Sequence, residues 1–259
     1  MIAWSAHLST LFAEYAPLER PAAAAAAGFT AVETWWPPAA PEDDWIAAVN
    51  AAGLRAVLVN ADGGDLAAGE RGYCNIPGRR DEVVAAVEAA VRVGAACGGG
   101  TVNLLVGRDD GVRPRAEQLA VATDAVRAAA ERARALGGRI VIEHLNSLDV
   151  DHPLVATPSD ALHFIEAVDH PAVSVLFDAY HAARIGRDPC AEFTRVSGRV
   201  GHVQYADCPG RGAPGTGGIS LRTFVSHLGM EGYDGHIGLE FVPAGPTAEA
   251  LAGLPALPA

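Results

Sequence analysis

Eight short apolar runs recur along the chain, and alanine-rich stretches with helical spacing separate them. This alternation constrains the fold more than any other feature. Strands that read as continuous apolar runs are buried on both faces, and helices must cover them. The runs predict strands at Ile2–His7, Thr30–Trp35, Arg55–Asn60, Thr101–Val106, Arg139–Leu145, Val173–Asp178, His202–Ala206 and His236–Phe241. Helices are predicted near 21–27, 42–52, 80–97, 115–136, 158–168, 189–198 and 221–230. Gly28, Gly53, Gly137 and Gly232 stand just past predicted helix ends, where a left-handed residue closes the last turn. Thr157 before Pro158 reads as an N-cap with a first-turn proline.

Eight such units in 259 residues favour an α/β fold of one kind, a closed (β/α)8 TIM barrel. An open doubly wound sheet is the alternative, but no G-x-G-x-x-G joins the first strand to its helix. No linker or shift of composition divides the chain. Residues 1–259 are therefore read as a single domain, with 243–259 a short Pro- and Ala-rich tail expected to be poorly ordered.

The formal net charge of −12 argues against binding a phosphate backbone, which needs clustered Lys and Arg. No nucleic-acid partner is expected. No apolar run is long enough for a membrane span, and the first residues lack a basic stretch and apolar core, so no signal peptide is expected. Cys74, Cys97, Cys190 and Cys208 form no Cys-x-x-Cys pair and suit free thiols in a reducing compartment, which points to the cytoplasm. Assembly into a homo-oligomer is left open.

In a (β/α)8 barrel the reactive groups stand at the carboxyl ends of the strands. The fifth strand ends with Glu143, the sixth with Asp178 followed by His181, the seventh carries Gln204, and the eighth carries Glu240. One acidic residue at a strand end is usually a solvated loop residue. Glu143 and Glu240 differ, because each lies within apolar sequence (VIEHL, GLEF) where a lone carboxylate is costly unless paired, hydrogen-bonded or metal-bound. Three carboxylates and an amide oxygen form a hard, all-oxygen donor set, suited to Mg²⁺ or Mn²⁺ better than to zinc.

The stretch Gly201–Ser220, GHVQYADCPGRGAPGTGGIS, continues the seventh strand into a loop stiffened by Pro209 and Pro214. Its glycines permit close backbone approach, and the loop can return Arg211 over the barrel mouth, where a guanidinium grips a carboxylate bidentately. A simple loop salt bridge is the competing reading. Arg71, in GERGY after the third strand, is a second candidate anion contact. His202 shares the side parity of Gln204 and reads as a deeper core histidine, while His152, His163, His170 and His227 read as surface or packing residues. Trp35 or Trp36 could belong to the core or wall the pocket.

The chain resembles the hydroxypyruvate isomerase family of the xylose isomerase-like barrel superfamily. The resemblance runs from HLSTLFAEYAPLERPAAAAAAGFTAVE through the GERG and PGR pieces, VNLLVG, VIEHLN and FDAYH to GHVQYADCPGRGAPGTG and GYDGHIGLE. The last two stretches are specific; the alanine run and VNLLVG are weak. The resemblance implies that Glu143 and Glu240 form an acid/base pair. It also implies that Glu143, Asp178, Gln204 and Glu240 hold a divalent ion, and that His181 and Arg211 contact substrate oxygens. His7 stands where the family usually has Asn, and it faces the same mouth. His144 replaces a usual Pro, and Gly218 the usual Glu of a GTGE motif. Trp35 and Trp36 differ from a common phenylalanine-rich version. These departures leave every implied ligand in place and bear on substrate identity.

The activity so implied is aldose–ketose isomerisation of a small hydroxy-oxo acid, hydroxypyruvate to 2-hydroxy-3-oxopropanoate, with a metal-stabilised enediolate. Isomerisation of a 2-oxo-tetronate, 3-epimerisation of a ketose, and non-catalytic binding of a small molecule are the alternatives. A phosphodiester-cleaving activity would call for a His-rich multi-zinc cluster and a basic surface.

Overall fold

The computed structural model describes residues 2–252 and 254. Eight parallel strands close into a barrel in sequence order. The strands are β1 (Ala3–His7), β2 (Ala31–Thr34), β3 (Arg55–Asn60), β4 (Thr101–Asn103), β5 (Arg139–Glu143), β6 (Val173–Asp178), β7 (Val200–Tyr205) and β8 (His236–Leu239). The covering helices are α1 (Arg20–Ala26), α2 (Glu42–Ala51), α3 (Arg80–Ala96), α4 (Arg115–Ala135), α5 (Pro158–Val168), α6 (Ala179–Arg184), α7 (Pro189–Val196), α8 (Leu221–Met230) and α9 (Thr247–Leu251). Each of the eight expected strands is present, and β8 pairs with β1 to close the sheet.

The main core lies between strands and helices, where Val, Ile, Leu and Ala from both layers pack out of water. The helix ends follow the sequence signals. Gly28, Gly53, Gly137 and Gly232 all adopt positive φ, and Thr157 closes a capping box with Asp160. No helix among the described residues is long and apolar enough to cross a membrane. All four cysteines are unpaired thiols.

Three features depart from expectation. β4 stops at Asn103, because Leu105 leaves the sheet to pack on Leu145 and Val150. α6 begins immediately after β6, with Asp178 itself as the N-cap accepting from the Tyr180 and His181 amides. The segment after Val242 is not a loose tail throughout, since it forms α9, and buried Thr247 bonds Phe12 N and the Glu14 carboxylate. Residues 253 and 255–259 of that tail lie outside the described residues.

Inside the barrel the strand period sorts residues into layers. Leu58, Val141 and Leu176 pack on one another as an apolar layer. Two residues further along their strands, on the same face, come Asn60, Glu143 and Asp178. The apolar layer therefore forms the floor beneath a polar one at the C-terminal mouth. The opposite mouth holds a cavity of ≈ 360 Å³ lined by Arg55, Arg139, His202, His236 and loop glycines, and no residue of that polar layer lines it.

Candidate active site

β5 and β6 deliver the first half of the site. Glu143 is buried and accepts from Asn103 Nδ2 at 2.7 Å. Glu143, Asp178 and His181 each present a ligand atom within 4.8 Å of the others. The His181 ring is oriented by Asn146, whose backbone N–H donates to Nδ1 at 3.1 Å. An accepting Nδ1 puts the proton on Nε2 of a neutral imidazole. Burial, then the charge of Arg211, holds the His181 pKa well below its ordinary value, in keeping with that neutral form. Nε2 lies 3.5 Å from Glu143 and 3.8 Å from Asp178. His181 therefore stands as an N–H donor at the edge of the carboxylates, suited to a substrate oxygen.

β8 and the loop after β7 deliver the second half. Glu240 is the residue after β8. Its Oε1 accepts from Trp35 Nε1 at 2.6 Å, with His7 Nε2 at 3.4 Å. Its Oε2 accepts from Arg211 Nη2. Arg211 also donates Nε to the Glu240 carbonyl at 3.4 Å, lies 3.9 Å from Asp178, and covers the Tyr180 ring at 5.2 Å. Its Nη1 makes no hydrogen bond to the described residues. The loop that carries Arg211 is gathered around the buried Asp207. One carboxylate oxygen accepts from the Cys208 and Ile219 amides, the other from those of Gly215 and Gly217. Arg211 itself adopts φ 54, so its tip sits in the left-handed region while Asp207 holds both flanks.

Gln204 is the register partner of Asp178 across β6 and β7, and so faces the same interior. Its Nε2 donates at 2.9 Å to Glu33 of β2, and its Oε1 is buried without a hydrogen-bond partner. Both nitrogens of His7, Asn60 Oδ1 and Asn103 Oδ1 are likewise buried and unpartnered. Native interiors rarely leave polar atoms unpaired. These atoms belong to residues of β1, β3, β4 and β7, and they suit an interior that receives a polar guest.

The sequence matches the family model described as xylose isomerase-like TIM barrel over residues 21–257. Hydroxypyruvate isomerase of Escherichia coli is 32% identical over 97% of this chain and 97% of its own. The chain belongs to the hydroxypyruvate isomerase family. A relative named 2-oxo-tetronate isomerase, from Cupriavidus necator, is 32% identical over 97% of this chain and 96% of its own. The crystal structure of an AP endonuclease, family 2, from Brucella melitensis superposes with a TM-score of 0.92, is 32% identical, and is covered over 97% of both chains. The named isomerases make this chain a member of an enzyme family of isomerase class.

The charges fit the divalent ion that this family's residues imply. Burial, then the charges of Glu240 and Asp178, pushes the Glu143 pKa up to about 8. Burial is also the main cause that raises Asp178 to about 6, against the pull of Arg211. Three carboxylates share one guanidinium, so without a cation the cluster retains protons to limit repulsion. A divalent cation would balance that excess, and Gln204 Oε1, buried and unpartnered on the register partner of Asp178, has the chemistry of a neutral hard donor.

The expected residues are not all brought together. Glu143, Asp178, His181, Glu240, Arg211 and His7 form one connected group, whereas Gln204, the register partner of Asp178, bonds Glu33 instead. Arg71 does not enter this network; its Nη1 donates to the Leu66 and Glu70 carbonyls. Trp35, read as core or wall, is a wall that grips Glu240. His202 is the deeper histidine its parity indicated, with Nε2 2.8 Å from Glu33. Glu33 was not singled out from the sequence, although it too sits in apolar sequence (TAVET) and would have met the test applied to Glu143.

Proposed function

We propose that this protein interconverts the aldose and ketose forms of a short hydroxy-oxo acid, with hydroxypyruvate and 2-hydroxy-3-oxopropanoate as the preferred pair. The observation that carries the reading is the convergence of Glu143, from β5, and Glu240, just after β8, in one buried polar group beside a guanidinium. Glu240 is the base, because Trp35 and Arg211 direct N–H donors at its oxygens and keep it an acceptor. It takes a proton from the hydroxymethyl carbon of hydroxypyruvate; that C–H bond breaks and an enediol forms with the former keto carbon. Glu143, readily protonated in this environment, returns a proton to the former keto carbon. A hydroxyl proton passes between the two oxygens to complete the aldehyde, and the neutral His181 Nε2–H steadies one of them. Arg211 Nη1 receives the substrate carboxylate. Glu143, Asp178, Gln204 and Glu240 would hold Mg²⁺ or Mn²⁺, which supplies polarisation of the substrate carbonyl.

A four-carbon 2-oxo-tetronate presents the same carboxylate and carbonyl, and the named relative from Cupriavidus necator favours it as a second reading. Phosphodiester cleavage has less support. Among the described residues one potential metal cluster occurs, with a single histidine, and the net charge is −12. The deciding experiment is solvent-proton exchange by NMR in D₂O with Mn²⁺, over three- and four-carbon oxo acids and small ketoses. Deuterium entering the carbon next to the carbonyl of hydroxypyruvate, with appearance of the aldehyde, supports the proposal. Exchange restricted to neutral ketoses refutes the acid-isomerase reading.

A further inference from the structure

Glu33 lies outside the carboxylate cluster, and the reaction as described above does not use it. It is fully buried. Ser5 Oγ donates to its Oε1 at 2.5 Å, His202 Nε2 lies 2.8 Å from the same oxygen, and Gln204 Nε2 donates to Oε2 at 2.9 Å. These partners come from β1 and β7. β8 contributes an absence: a Cβ on Gly238 would lie 2.2 Å from Glu33 Oε1 and 2.5 Å from Oε2. The glycine leaves the space that the carboxylate fills. Four strands thus cooperate to hold one carboxylate in one place.

An ionised carboxylate only accepts hydrogen bonds, so Gln204 must turn its NH₂ towards Glu33. The planar amide then has one orientation, with Oε1 on the side away from Glu33. That oxygen is the atom left buried and unpartnered, on the register partner of Asp178. We infer that Glu33 is a positioning residue, which fixes the Gln204 amide so that its oxygen faces the divalent-cation site. The inference rests on the metal-site reading given above. Without Glu33 the amide could present either end, and its NH₂ would repel a cation. Partners behind a metal ligand commonly govern affinity 10- to 100-fold.

The test is Mn²⁺ affinity by calorimetry, without substrate, for the parent, Glu33→Gln, Gln204→Leu and the double variant. Glu33→Gln should weaken Mn²⁺ binding by about 10- to 100-fold. The double variant should bind no more than about threefold weaker than Gln204→Leu, because Glu33 has nothing left to orient. Full additivity of the two losses would show that Glu33 acts as a bare charge and overturns the inference. So would Glu33→Gln binding within about threefold of the parent while Gln204→Leu is impaired. Parent-like binding by Gln204→Leu would instead refute the metal role of Gln204, on which the inference rests. A measurement on the unaltered metal-free protein covers the case that Glu33→Gln does not fold. The Gln204 side-chain NH₂, assigned by its loss in Gln204→Leu, should be protected from exchange with water; exchange at the rate of an exposed amide overturns the inference.

Discussion

Replacing Glu240 by Gln retains the shape of the side chain and removes its basicity. The structure adds a second consequence. Glu240 accepts from Trp35 Nε1 on one oxygen and from Arg211 on the other. An amide has one oxygen, so whichever way Gln sits, its NH₂ faces a donor. The lost hydrogen bond to a charged group is worth about 1.5–3 kcal/mol, and loss of the base itself costs about 100-fold or more in turnover. Deuterium exchange into hydroxypyruvate, at saturating Mn²⁺ and saturating substrate, should therefore fall at least about 100-fold. Trp35→Phe is the control, since it deletes one donor and leaves the carboxylate; its loss should stay near tenfold, the equivalent of about 1.4 kcal/mol. A Glu240→Gln enzyme that keeps more than a tenth of the parent exchange rate would refute Glu240 as the base. Equal losses in both variants would mean that orientation of the carboxylate matters and proton transfer lies elsewhere.

Arg211→Lys keeps a positive charge but loses the fork that, in the proposed mechanism, joins Glu240 to the substrate carboxylate. KM for oxo acids should rise about tenfold or more and KM for neutral ketoses far less; steady-state kinetics showing equal rises would place Arg211 in loop support alone. The chelated protein should lose stability as pH rises from about 7.5 to 9. Glu143, raised to about 8, keeps in the fold a proton that the unfolded chain has already released. The neutral His7, His144, His181 and His236 oppose this below about pH 7.5, where the unfolded chain still binds protons on them. Denaturant unfolding in chelator should show this fall, and stability that is flat or rising over that window would contradict the carboxylate cluster as described.

The barrel was legible because its signal is repeated. Each apolar run is ambiguous by itself, but eight of them with interleaved helices leave few closed solutions. The strand-end residues were legible for a related reason. Glu143 and Glu240 interrupt apolar sequence, and burying them demands a partner. The elements that were misjudged are those whose cause lies in another part of the chain. α6 gives no signal of its own in the sequence because no loop precedes it; Asp178 ends β6 and caps the helix at the same time. β4 reads as longer than it is because Leu104, Leu105 and Val106 are as apolar as strand residues, while Leu105 packs on the loop after β5.

Glu33 and Glu143 show where sequence reasoning reaches its limit. Both are glutamates within apolar strands, both face the barrel interior, and burial alone would raise the pKa of each. In Glu33 the raising effect of burial is overcome by His202, His7 and Ser5, and its pKa falls to about 2. In Glu143 it is reinforced by the charges of Glu240 and Asp178, and the pKa climbs to about 8. One carboxyl becomes a fixed anion that orients its neighbours, and the other becomes a group able to hold and release a proton near neutral pH. The difference arises from which side chains the barrel closure brings opposite each one. His202 lies 169 residues from Glu33 in sequence, so no local pattern carries that information, and only the closed register of β7, β8, β1 and β2 supplies it.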